Sequence, residues 1–254
     1  MEVKAIMSRP AVTVTRKTTV KEAVAKMAKK GVSCVVVVEK KLPIGIFTKH
    51  DLVAALDSGV NFAKTAIEIV MHTPVMPIEE SDDLFATARQ MGRMDVRRFV
   101  IVDAHNLLSG IVTETDIVRT FATRAFPYDV MLAALADKGL AASPATPLKK
   151  IVRMMAESRK SCVVIVKNKK PVGVIDEGLL VKLAAKGGNL LKSAAGQKMA
   201  KKFTAALPDS SVREAVINMT KANNREIVVA DSDGHHYGVV SQRDLIRYIE
   251  KTQS

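Results

Sequence analysis

The chain repeats one order of apolar and polar stretches four times. In the first copy, Val12–Val14 predicts a short edge strand, and the apolar positions after Thr19 recur at helical spacing. Cys34–Val38 and Ile44–Phe47 predict two strands joined by a lysine turn, and a second helix begins at Thr48. The predicted order of one unit is therefore β-α-β-β-α.

Each unit ends in the same seven-residue pattern, glycine, two apolar residues, Thr or Ser, two variable residues and Asp. The pattern occurs at Gly45–Asp51, Gly110–Asp116 and Gly238–Asp244, and an eroded copy occurs at Gly173–Leu179. The leading glycines are 65, 63 and 65 residues apart, so four copies of one unit account for the chain. The predicted repeats are residues 1–62, 63–126, 127–190 and 191–254.

Odd repeats resemble odd repeats, and even repeats resemble even ones. Ser33–Val36 and Ser161–Val164 both read Ser-Cys-Val-Val, and the offset of 128 residues equals that between their leading glycines. A two-repeat unit was therefore duplicated, and the pair is the expected physical unit. Repeat three follows a long connection, Ala122–Ala145, in which we predict a helix around Val130–Asp137.

Capping chemistry marks the helix starts. Thr19–Glu22 and Ser211–Glu214 have the spacing of capping boxes. Ser81 or Asp82 is the expected cap of the first helix of repeat two. In repeat three, Thr146-Pro147 predicts a helix with proline at its first position.

Composition restricts the class of protein. Hydrophobic residues make up 48% of the 254, which suits a packed core and argues against disorder. No apolar run approaches the roughly 20 residues of a membrane span, and the N-terminus lacks the apolar core of a signal peptide. We expect a cytoplasmic protein without a membrane partner. Cys34 and Cys162 lie in buried-strand patterns, and neither they nor the histidines have metal-ligand spacing.

A β-α-β-β-α unit that ends in this motif and occurs in pairs resembles the CBS domain (cystathionine β-synthase domain). The openings Met7–Pro10 and Met71–Pro74, both Met-x-x-Pro, strengthen the resemblance, which covers essentially the whole chain. It implies an α/β (α+β) fold in which four CBS repeats pair into two Bateman modules. Four repeats are similar to the γ subunit of the AMP-activated kinase and to many archaeal proteins of this length.

The resemblance also implies a function. Such modules bind AMP, ADP, ATP or S-adenosylmethionine in clefts between repeats, and they usually sense or scaffold without catalysis. No nucleophile–base pair, P-loop or paired acid catalyst stands out in the sequence. We expect a non-enzymatic regulatory protein with no required cofactor, which signals to a regulated partner protein and is a candidate homodimer through its CBS modules.

The seven-residue motif carries the candidate ligand chemistry. Thr or Ser with an acid three residues later caps a helix, and the same helix N-terminus suits a phosphate. By the resemblance, the aspartates would hold ribose, the hydroxyls would assist, and adenine would lie around Val12-Thr13 and Val75-Met76. The candidate nucleotide-binding residues are Gly45, Thr48, Asp51, Gly110, Thr113, Asp116, Gly238, Ser241 and Asp244. The candidate phosphate cations are Arg97, Arg98, Arg225 and Arg243, with a solvated rim charge as the alternative for each.

Repeat three departs from the motif. Asp176 can still cap its helix, but Leu179 replaces the ribose carboxylate. We therefore expect this site to be lost and the Asp244 site to serve the second module.

The net charge of +13 suggests a second kind of partner. Residues 1–127 carry +4 and residues 128–254 carry +9, and no acid lies between Glu177 and Asp209. A flexible acid-free lysine segment can follow a phosphate backbone without reading bases, so RNA or ribosome binding is the alternative function. Heat adaptation or an ordinary lysine-rich helix face would also account for the charge. The candidate RNA-binding residues are Lys182, Lys186, Lys192, Lys198, Lys201 and Lys202.

Overall fold

The chain folds into four units of the predicted order, strand, helix, strand, strand and helix. The computed structural model describes residues 1–121 and 130–252. Four short 3-10 turns precede the repeats or connect them within these ranges, at Val3–Ala5, Ile67–Ile69, Leu132–Ala134 and Leu190–Lys192. The mixed α/β fold class is confirmed.

Repeats one and two have closely matching elements. Those of repeat one are β1 (Thr13–Val14), α1 (Val20–Lys30), β2 (Cys34–Glu39), β3 (Leu42–Thr48) and α2 (Lys49–Asp57). Those of repeat two are β4 (Pro77–Glu79), α3 (Leu84–Arg93), β5 (Arg98–Val102), β6 (Leu108–Thr113) and α4 (Glu114–Phe121).

Repeats three and four follow the same course, with one extra short helix between them. The elements of repeat three are β7 (Leu140–Ala142), α5 (Leu148–Ser158), β8 (Cys162–Lys167), β9 (Lys170–Asp176) and α6 (Glu177–Ala185). The extra helix is α7 (Ala195–Lys198). The elements of repeat four are β10 (Ala205–Ala206), α8 (Val212–Ala222), β11 (Glu226–Ala230), β12 (His236–Ser241) and α9 (Gln242–Thr252).

Each repeat forms a three-stranded sheet whose middle strand is parallel to the first strand and antiparallel to the third. A parallel pair needs a crossover connection, which the first helix of each repeat supplies. The third strand ends beside the start of the middle strand, where the second helix begins. The amide of Lys49 accordingly donates to Ser33 O at 3.1 Å, and that of Glu114 donates to Arg97 O at 3.0 Å. This joint between sheet and helix places the seven-residue motif.

The opening segment of each repeat crosses to the other repeat of its pair. Ser8 pairs with Ile111 of repeat two, and His72 pairs with Ile46 of repeat one. Repeats three and four exchange their openings in the same way, through Asp137 with Val239 and Ala200 with Val174. Each cleft between paired repeats therefore has one wall from each of them.

Sheets join the repeats within a pair, and helices join the two pairs. Cys34, Val36 and Ile46 of repeat one pack against Val100 and Ile111 of repeat two. The sheets of repeats three and four share a second cluster. Between the pairs, α2 packs on α5 and α6, α1 packs on α6, and both α3 and α4 pack on α9. Helices thus join odd repeats to odd and even to even, and the sheet contacts within each pair confirm the predicted pairing of repeats one with two and three with four.

Several local predictions differ from the structure. The predicted helix at 130–137 is only the 3-10 turn at Leu132–Ala134, because its backbone bonds to repeat four at Ser210 and Pro208. Asp83, rather than Ser81 or Asp82, caps α3 by accepting from Phe85 N and Ala86 N at 2.9 and 3.0 Å. Pro147 is the cap of α5 and not its first residue.

Two further expectations concern the long connection before repeat three and the absence of a membrane span. Residues 122–129 of the predicted long connection lie outside the described residues. Within the described residues, no helix has the length and apolar character that crossing a membrane requires.

Candidate functional site

The aspartates of the intact motifs cap their helices with one oxygen and leave the other outside the cap. Thr113 N donates to Asp116 Oδ2 at 2.8 Å, and the Thr113 hydroxyl donates to the same oxygen at 2.7 Å. The other copies bond likewise, from Thr48 N to Asp51 Oδ2 at 2.7 Å and from Ser241 N to Asp244 Oδ2 at 2.8 Å. The predicted capping role is confirmed, and Oδ1 of each carboxylate takes no part in it.

Repeat three begins its helix by simpler means. Asp176 Oδ1 accepts from Leu179 N at 2.6 Å, so one carboxylate at the N-cap satisfies a backbone amide of α6. Leu179 packs against the core of repeat three. The helix start is therefore retained without an acid at position 179.

The glycines of the motif lie outside the clefts described below. A Cβ on Gly110 would come within 2.8 Å of Met7 Sδ and 3.0 Å of Ser8 O, both in the opening segment of repeat one. Gly45 and Gly238 are equally buried against the openings at Met71 and Asp137. These glycines admit the crossing backbone, and their contact with a nucleotide stays a prediction.

In the part of the chain that the structure describes, three clefts open where the four repeats meet, and each is bordered mainly by the motif of one repeat. We name them the Asp116 cleft, the Asp244 cleft and the Leu179 cleft, after repeats two, four and three. Their volumes are about 280, 180 and 410 Å³, respectively. Thr48, Asp51 and Arg98 border none of these three.

The Asp116 cleft combines an intact motif with an apolar wall and three cations. Thr113 and Asp116 form one side. The facing wall comes from the opening of repeat one, with Ser8, Pro10, Ala11 and Val12. The cations come from three repeats and are Lys49, Arg119 and Arg225. Val12 thus lies where a base was predicted, whereas Thr13, Val75 and Met76 border none of the three clefts.

The Asp244 cleft is smaller and more highly charged. Ser241, Arg243 and Asp244 form the motif side, and Asp137 and Gly139 come from the opening of repeat three. Lys160 contacts Asp137 in an ion pair inside the cleft. Its further charged lining residues are Asp95, Arg97, Glu114, Arg159, Arg225, Glu226 and Arg247.

The Leu179 cleft has the widest lining. Asp176, Gly178 and Leu179 form the motif side, and the opening of repeat four faces them with Ala200, Lys202, Phe203 and Thr204. Repeat one contributes Lys49, and α6 contributes Lys182. Asn223, Asn224, Arg225 and Glu226 complete the polar lining.

Each of the four candidate arginines makes an ion pair or a hydrogen bond within the protein, so none is a free charge at a solvated rim. Arg97 makes a two-pronged ion pair with Glu177, at 2.9 and 3.0 Å, and its side chain is 11% exposed. Arg225 Nη2 donates to Glu114 Oε2 at 3.1 Å. The remaining two are held by Asp95, at 3.3 Å from Arg243 Nε, and by Ser33 O, at 2.9 Å from Arg98 Nη1.

The first residue of each repeat's second helix lies where the two modules meet. We call this region, formed by Lys49, Glu114, Glu177 and Gln242 with Arg97 and Arg225, the junction. Glu114, Glu177 and Gln242 are only 2–3% exposed, and Lys49 is half-buried. Arg97 joins Glu177 of repeat three, and Arg225 joins Glu114 of repeat two, so both ion pairs link the two modules. Thr115 adds a hydrogen bond to Gln242 Oε1 at 2.7 Å. The first residues of the four second helices are equivalent positions of the repeat, and each of them borders at least one of the three clefts.

Burial and neighbouring charges set the ionisation of the junction. Burial opposes the charged form of Glu177, but the His50 imidazole and the Arg97 and Arg225 guanidiniums outweigh it and lower its pKa to about 2. Burial and the adjacent Asp176 raise the pKa of Glu226 to about 7. Burial also lowers the pKa of Lys49 and raises that of Asp51. The junction therefore holds one firmly ionised carboxylate and one that titrates near neutrality.

The acid-free basic segment, residues 178–208, is folded rather than a free linker. Its backbone pairs with repeat three through Pro147 with Ala194 and Val174 with Ala200. Of its lysines, Lys182 and Lys202 border the Leu179 cleft. Lys186, Lys192 and Lys201 are exposed elsewhere, and Lys198 is half-buried.

One turn gathers possible metal-ligating groups. Atoms of Asp231, Asp233 and His235 lie within 4.8 Å of one another. Asp231 Oδ1 accepts from the backbone amides of Asp233 and His235 at 3.0 and 2.7 Å, so the hydrogen bonds of the turn account for the arrangement.

The comparisons with known proteins agree with this architecture. The sequence model of the CBS domain matches residues 3–58, 66–123, 133–186 and 195–251. Protein MJ1225 from Methanocaldococcus jannaschii has a similar structure, with a TM-score of 0.87, 19% identity and coverage of 98% of this chain and 99% of that one. A conserved protein from Pyrococcus horikoshii aligns with a TM-score of 0.66 and 23% identity over 98% and 100% of the two chains.

A sequence relative also comes from an archaeon. Protein MK0525 of Methanopyrus kandleri is 38% identical over 96 residues, which are 37% of this chain. The match spans 49% of that curated relative's length.

Four β-α-β-β-α units in two sheet-joined pairs, with clefts at the helix starts, define a tandem-repeat module protein. The chain belongs to the CBS domain family, with its four domains paired as two Bateman modules.

Sequence reasoning missed the residues that connect the clefts. Lys49, Glu114, Glu177 and Gln242 occupy one column of the repeat, directly after the motif's hydroxyl or acid residue. The sequence did contain a signal for them, because all four repeats have a charged or polar residue at this position, next to a strand of buried residues. Their burial depends on which repeats face each other, and no local pattern indicates that.

Proposed function

We propose that the protein is a non-enzymatic regulator that binds an adenosine-containing nucleotide of the AMP, ADP or ATP class and signals its occupancy to a partner. The Asp116 cleft is the main support. It combines a carboxylate that keeps one oxygen outside the cap, an apolar wall and three cations, and polar groups that converge beside an apolar wall are typical of ligand sites.

Each part of a nucleotide has a counterpart in this cleft. Asp116 Oδ1 would accept from the ribose hydroxyls while Oδ2 stays in the cap. The Thr113 hydroxyl already donates to Asp116, so its part is to position the carboxylate. The base would lie against Ala11 and Val12.

The phosphates would lie toward the cations. Lys49 and Arg119 border the cleft, beside the positive N-terminal end of α4. Because these groups attract anions, they favour AMP, ADP or ATP over S-adenosylmethionine, whose sulfonium is positive.

Arg225 connects the clefts physically to the junction between the modules. It borders all three clefts, and its guanidinium bonds Glu114 of the other module. A phosphate that draws Arg225 away from Glu114 would weaken this link between modules. Ligand binding would then shift the arrangement that a partner protein reads.

Calorimetry with AMP, ADP, ATP and S-adenosylmethionine tests the proposal. We expect heat with at least one adenine nucleotide and a loss of affinity of tenfold or more, on the order of 1.4 kcal/mol, in Asp116→Asn. Asparagine keeps an oxygen for the cap, so folding should be preserved. Leu179→Ala is the matched control at the equivalent position of repeat three. An absence of heat with all four ligands would overturn the proposal.

The second module has its own test. Asp244 retains the same free Oδ1, and Asp244→Ala should abolish nucleotide binding in the Asp244 cleft. The number of bound nucleotides per chain should then fall while the Asp116 cleft still binds. An unchanged stoichiometry would exclude the Asp244 cleft as a nucleotide site.

RNA or ribosome binding is the second candidate. It is supported by Lys186, Lys192 and Lys201, which are exposed on a segment that has no acid from residue 178 to residue 208. Such a surface would contact phosphate backbones, and its binding would weaken steeply with salt. This activity would suit a ribosome-associated inhibitor of translation or a hibernation factor.

Co-sedimentation with ribosomes at low and moderate salt tests this candidate. The triple variant Lys186→Ala, Lys192→Ala, Lys201→Ala should stay in the supernatant. The matched control replaces three exposed lysines of α1, Lys21, Lys29 and Lys30. Failure of the unaltered protein to pellet at low salt would reject the candidate.

A further inference from the structure

The Leu179 cleft stayed open although its motif lost the ribose carboxylate. It measures about 410 Å³, more than the Asp116 and Asp244 clefts at about 280 and 180 Å³. Leu179 packs against the core of repeat three and does not fill the space. The expected loss of the ribose carboxylate therefore leaves the cavity in place and changes its chemistry.

Gly178 lets a cation of the other module enter this cleft. Repeats one, two and four carry His50, Thr115 and Arg243 at the equivalent position. A Cβ on Gly178 would lie 3.2 Å from Lys49 Nζ, which is a tight contact. The missing side chain thus leaves room for the ammonium group of repeat one.

Lysines from three repeats border the cleft. They are Lys49 of repeat one, Lys182 of repeat three and Lys202, which precedes the first strand of repeat four. None of the three forms a salt bridge in the part of the chain that the structure describes. Three ammonium groups around one cavity suit a ligand with several anionic oxygens.

The carboxylates of the cleft are largely engaged. Glu177 is paired with Arg97, and Asp176 caps α6. Glu226 has a pKa of about 7, raised by burial and by Asp176, so near neutral pH a large share of molecules carry a proton there. Four cationic residues, the three lysines and Arg225, border the cleft, against two ionised carboxylates and the partly protonated Glu226, so its net charge is positive.

We infer that the Leu179 cleft binds a phosphorylated ligand through its phosphoryl groups and without recognition of a ribose diol. Lys49, Lys182 and Lys202 hold the phosphoryl oxygens, and Ala200 and Phe203 leave an apolar wall for a ring. This site shares Lys49 with the Asp116 cleft, but Lys182 and Lys202 border only the Leu179 cleft of the three. The proposed nucleotide sites depend on Asp116 and Asp244, so either proposal can fail alone.

Binding of two diol-free probes to the full chain tests the inference. The probes are inorganic tripolyphosphate and 2′,3′-dideoxy-ATP, measured by calorimetry. We expect one site, with affinity reduced about tenfold or more in the double variant Lys182→Ala, Lys202→Ala. Equal affinity of the two probes assigns recognition to the phosphates alone, and tighter binding of dideoxy-ATP adds the apolar wall.

The matched control lies in the same basic segment. Lys186→Ala, Lys201→Ala removes two exposed lysines that do not border the cleft, and it should leave the affinity unchanged. Equal losses in both double variants would overturn the inference, as would an absence of binding by both probes. Asp116→Asn should not alter the binding of tripolyphosphate, and this separates failure here from failure of the nucleotide sites.

Discussion

The Asp116 cleft and the Leu179 cleft are built from the same backbone and differ in how each helix start is satisfied. In repeat two, Thr113 and Asp116 share the cap, so the acid at the third helical position belongs to the fold. In repeat three, Asp176 accepts the amide of Leu179 alone and the third position is free to change. A cap made by the single residue Asp176 thus leaves the third helical position without a role in capping.

The two clefts also share a charged junction but hold it differently. Glu114 of repeat two makes one bond of 3.1 Å to Arg225, whereas Glu177 of repeat three accepts two bonds from Arg97 and lies 3.6 Å from His50 Nδ1. The Leu179 cleft, whose motif has lost its aspartate, is therefore the cleft in which the junction carboxylate, Glu177, is more firmly held. This difference suggests that repeat three anchors the modules while repeat two is free to respond to a ligand.

The largest predicted effect comes from removing that anchor. Glu177→Ala leaves the buried Arg97 guanidinium without its carboxylate, with the Arg159 carbonyl oxygen at 3.0 Å as its remaining acceptor, and this should reduce the free energy of unfolding by about 3–5 kcal/mol. Glu114→Ala should cost less, because Glu114 accepts one bond from Arg225 whereas Glu177 accepts two from Arg97. Urea unfolding at pH 7 measures both.

An exposed glutamate of the same repeat provides the control. Glu157→Ala should change stability by no more than about 0.5 kcal/mol. Equal losses for Glu177→Ala and Glu114→Ala would contradict the difference between the two carboxylates.

The units themselves could be predicted because their signals are local. The capping box at Thr19, the glycine that follows α1 and the continuous apolar run from Cys34 each specify an element within a dozen residues. The recurrence of the seven-residue motif then specifies the number of repeats. The order of elements in every repeat agreed with these signals.

The junction could not be predicted, because it depends on contacts between distant repeats. Arg97 meets Glu177 across 80 positions, and Arg225 meets Glu114 across 111. Local patterns also suggested a helix at residues 130–137, where pairing with repeat four holds the chain in a 3-10 turn. Lys182 and Lys202 looked like parts of one charged strip, although the fold directs both to a cleft.

The second prediction concerns Glu226, which borders the Leu179 and Asp244 clefts but not the Asp116 cleft. Its pKa is about 7 in the folded protein and near 4.5 when unfolded, so the folded state binds the proton more tightly. Its contribution favours folding below pH 4.5 and is lost as the pH rises toward 7. Glu226→Gln should therefore raise stability at pH 8 by on the order of 1–3 kcal/mol.

Urea unfolding of both proteins at pH 5 and pH 8 checks this. The gain should be larger at pH 8. Ionised Glu226 adds a negative charge to the Leu179 cleft, so the unaltered protein should bind tripolyphosphate more weakly above pH 7 and the variant should not. Glu177 acts in the opposite sense, because its lowered pKa removes stability only as the pH falls below 4.5. A gain of equal size at both pH values would show that Glu226 does not titrate between them.

The third prediction converts one cleft into the other. The double variant Asp176→Thr, Leu179→Asp restores the Thr-x-x-Asp motif in repeat three and should introduce a ribose carboxylate. ATP should then bind there about tenfold more tightly than dideoxy-ATP, a preference of about 1.4 kcal/mol. Asp176→Thr alone is the control and should show no such preference. If the double variant binds both ligands equally, position 179 does not determine recognition of the diol.

The smallest effect should come from removing the cap of repeat three. Asp176→Ala deletes an N-cap, which ordinarily costs about 1 kcal/mol. The same carboxylate raises the pKa of Glu226, so its removal also relieves repulsion between two acids. The two contributions oppose each other, and the net loss above pH 7 should stay below about 0.5 kcal/mol. Asp83→Ala, which removes the exposed cap of α3, should show the full cost. A titration of the Glu226 carboxyl by NMR should show its pKa lowered in Asp176→Ala, and an unchanged value would mean that Asp176 is coupled to the helix alone.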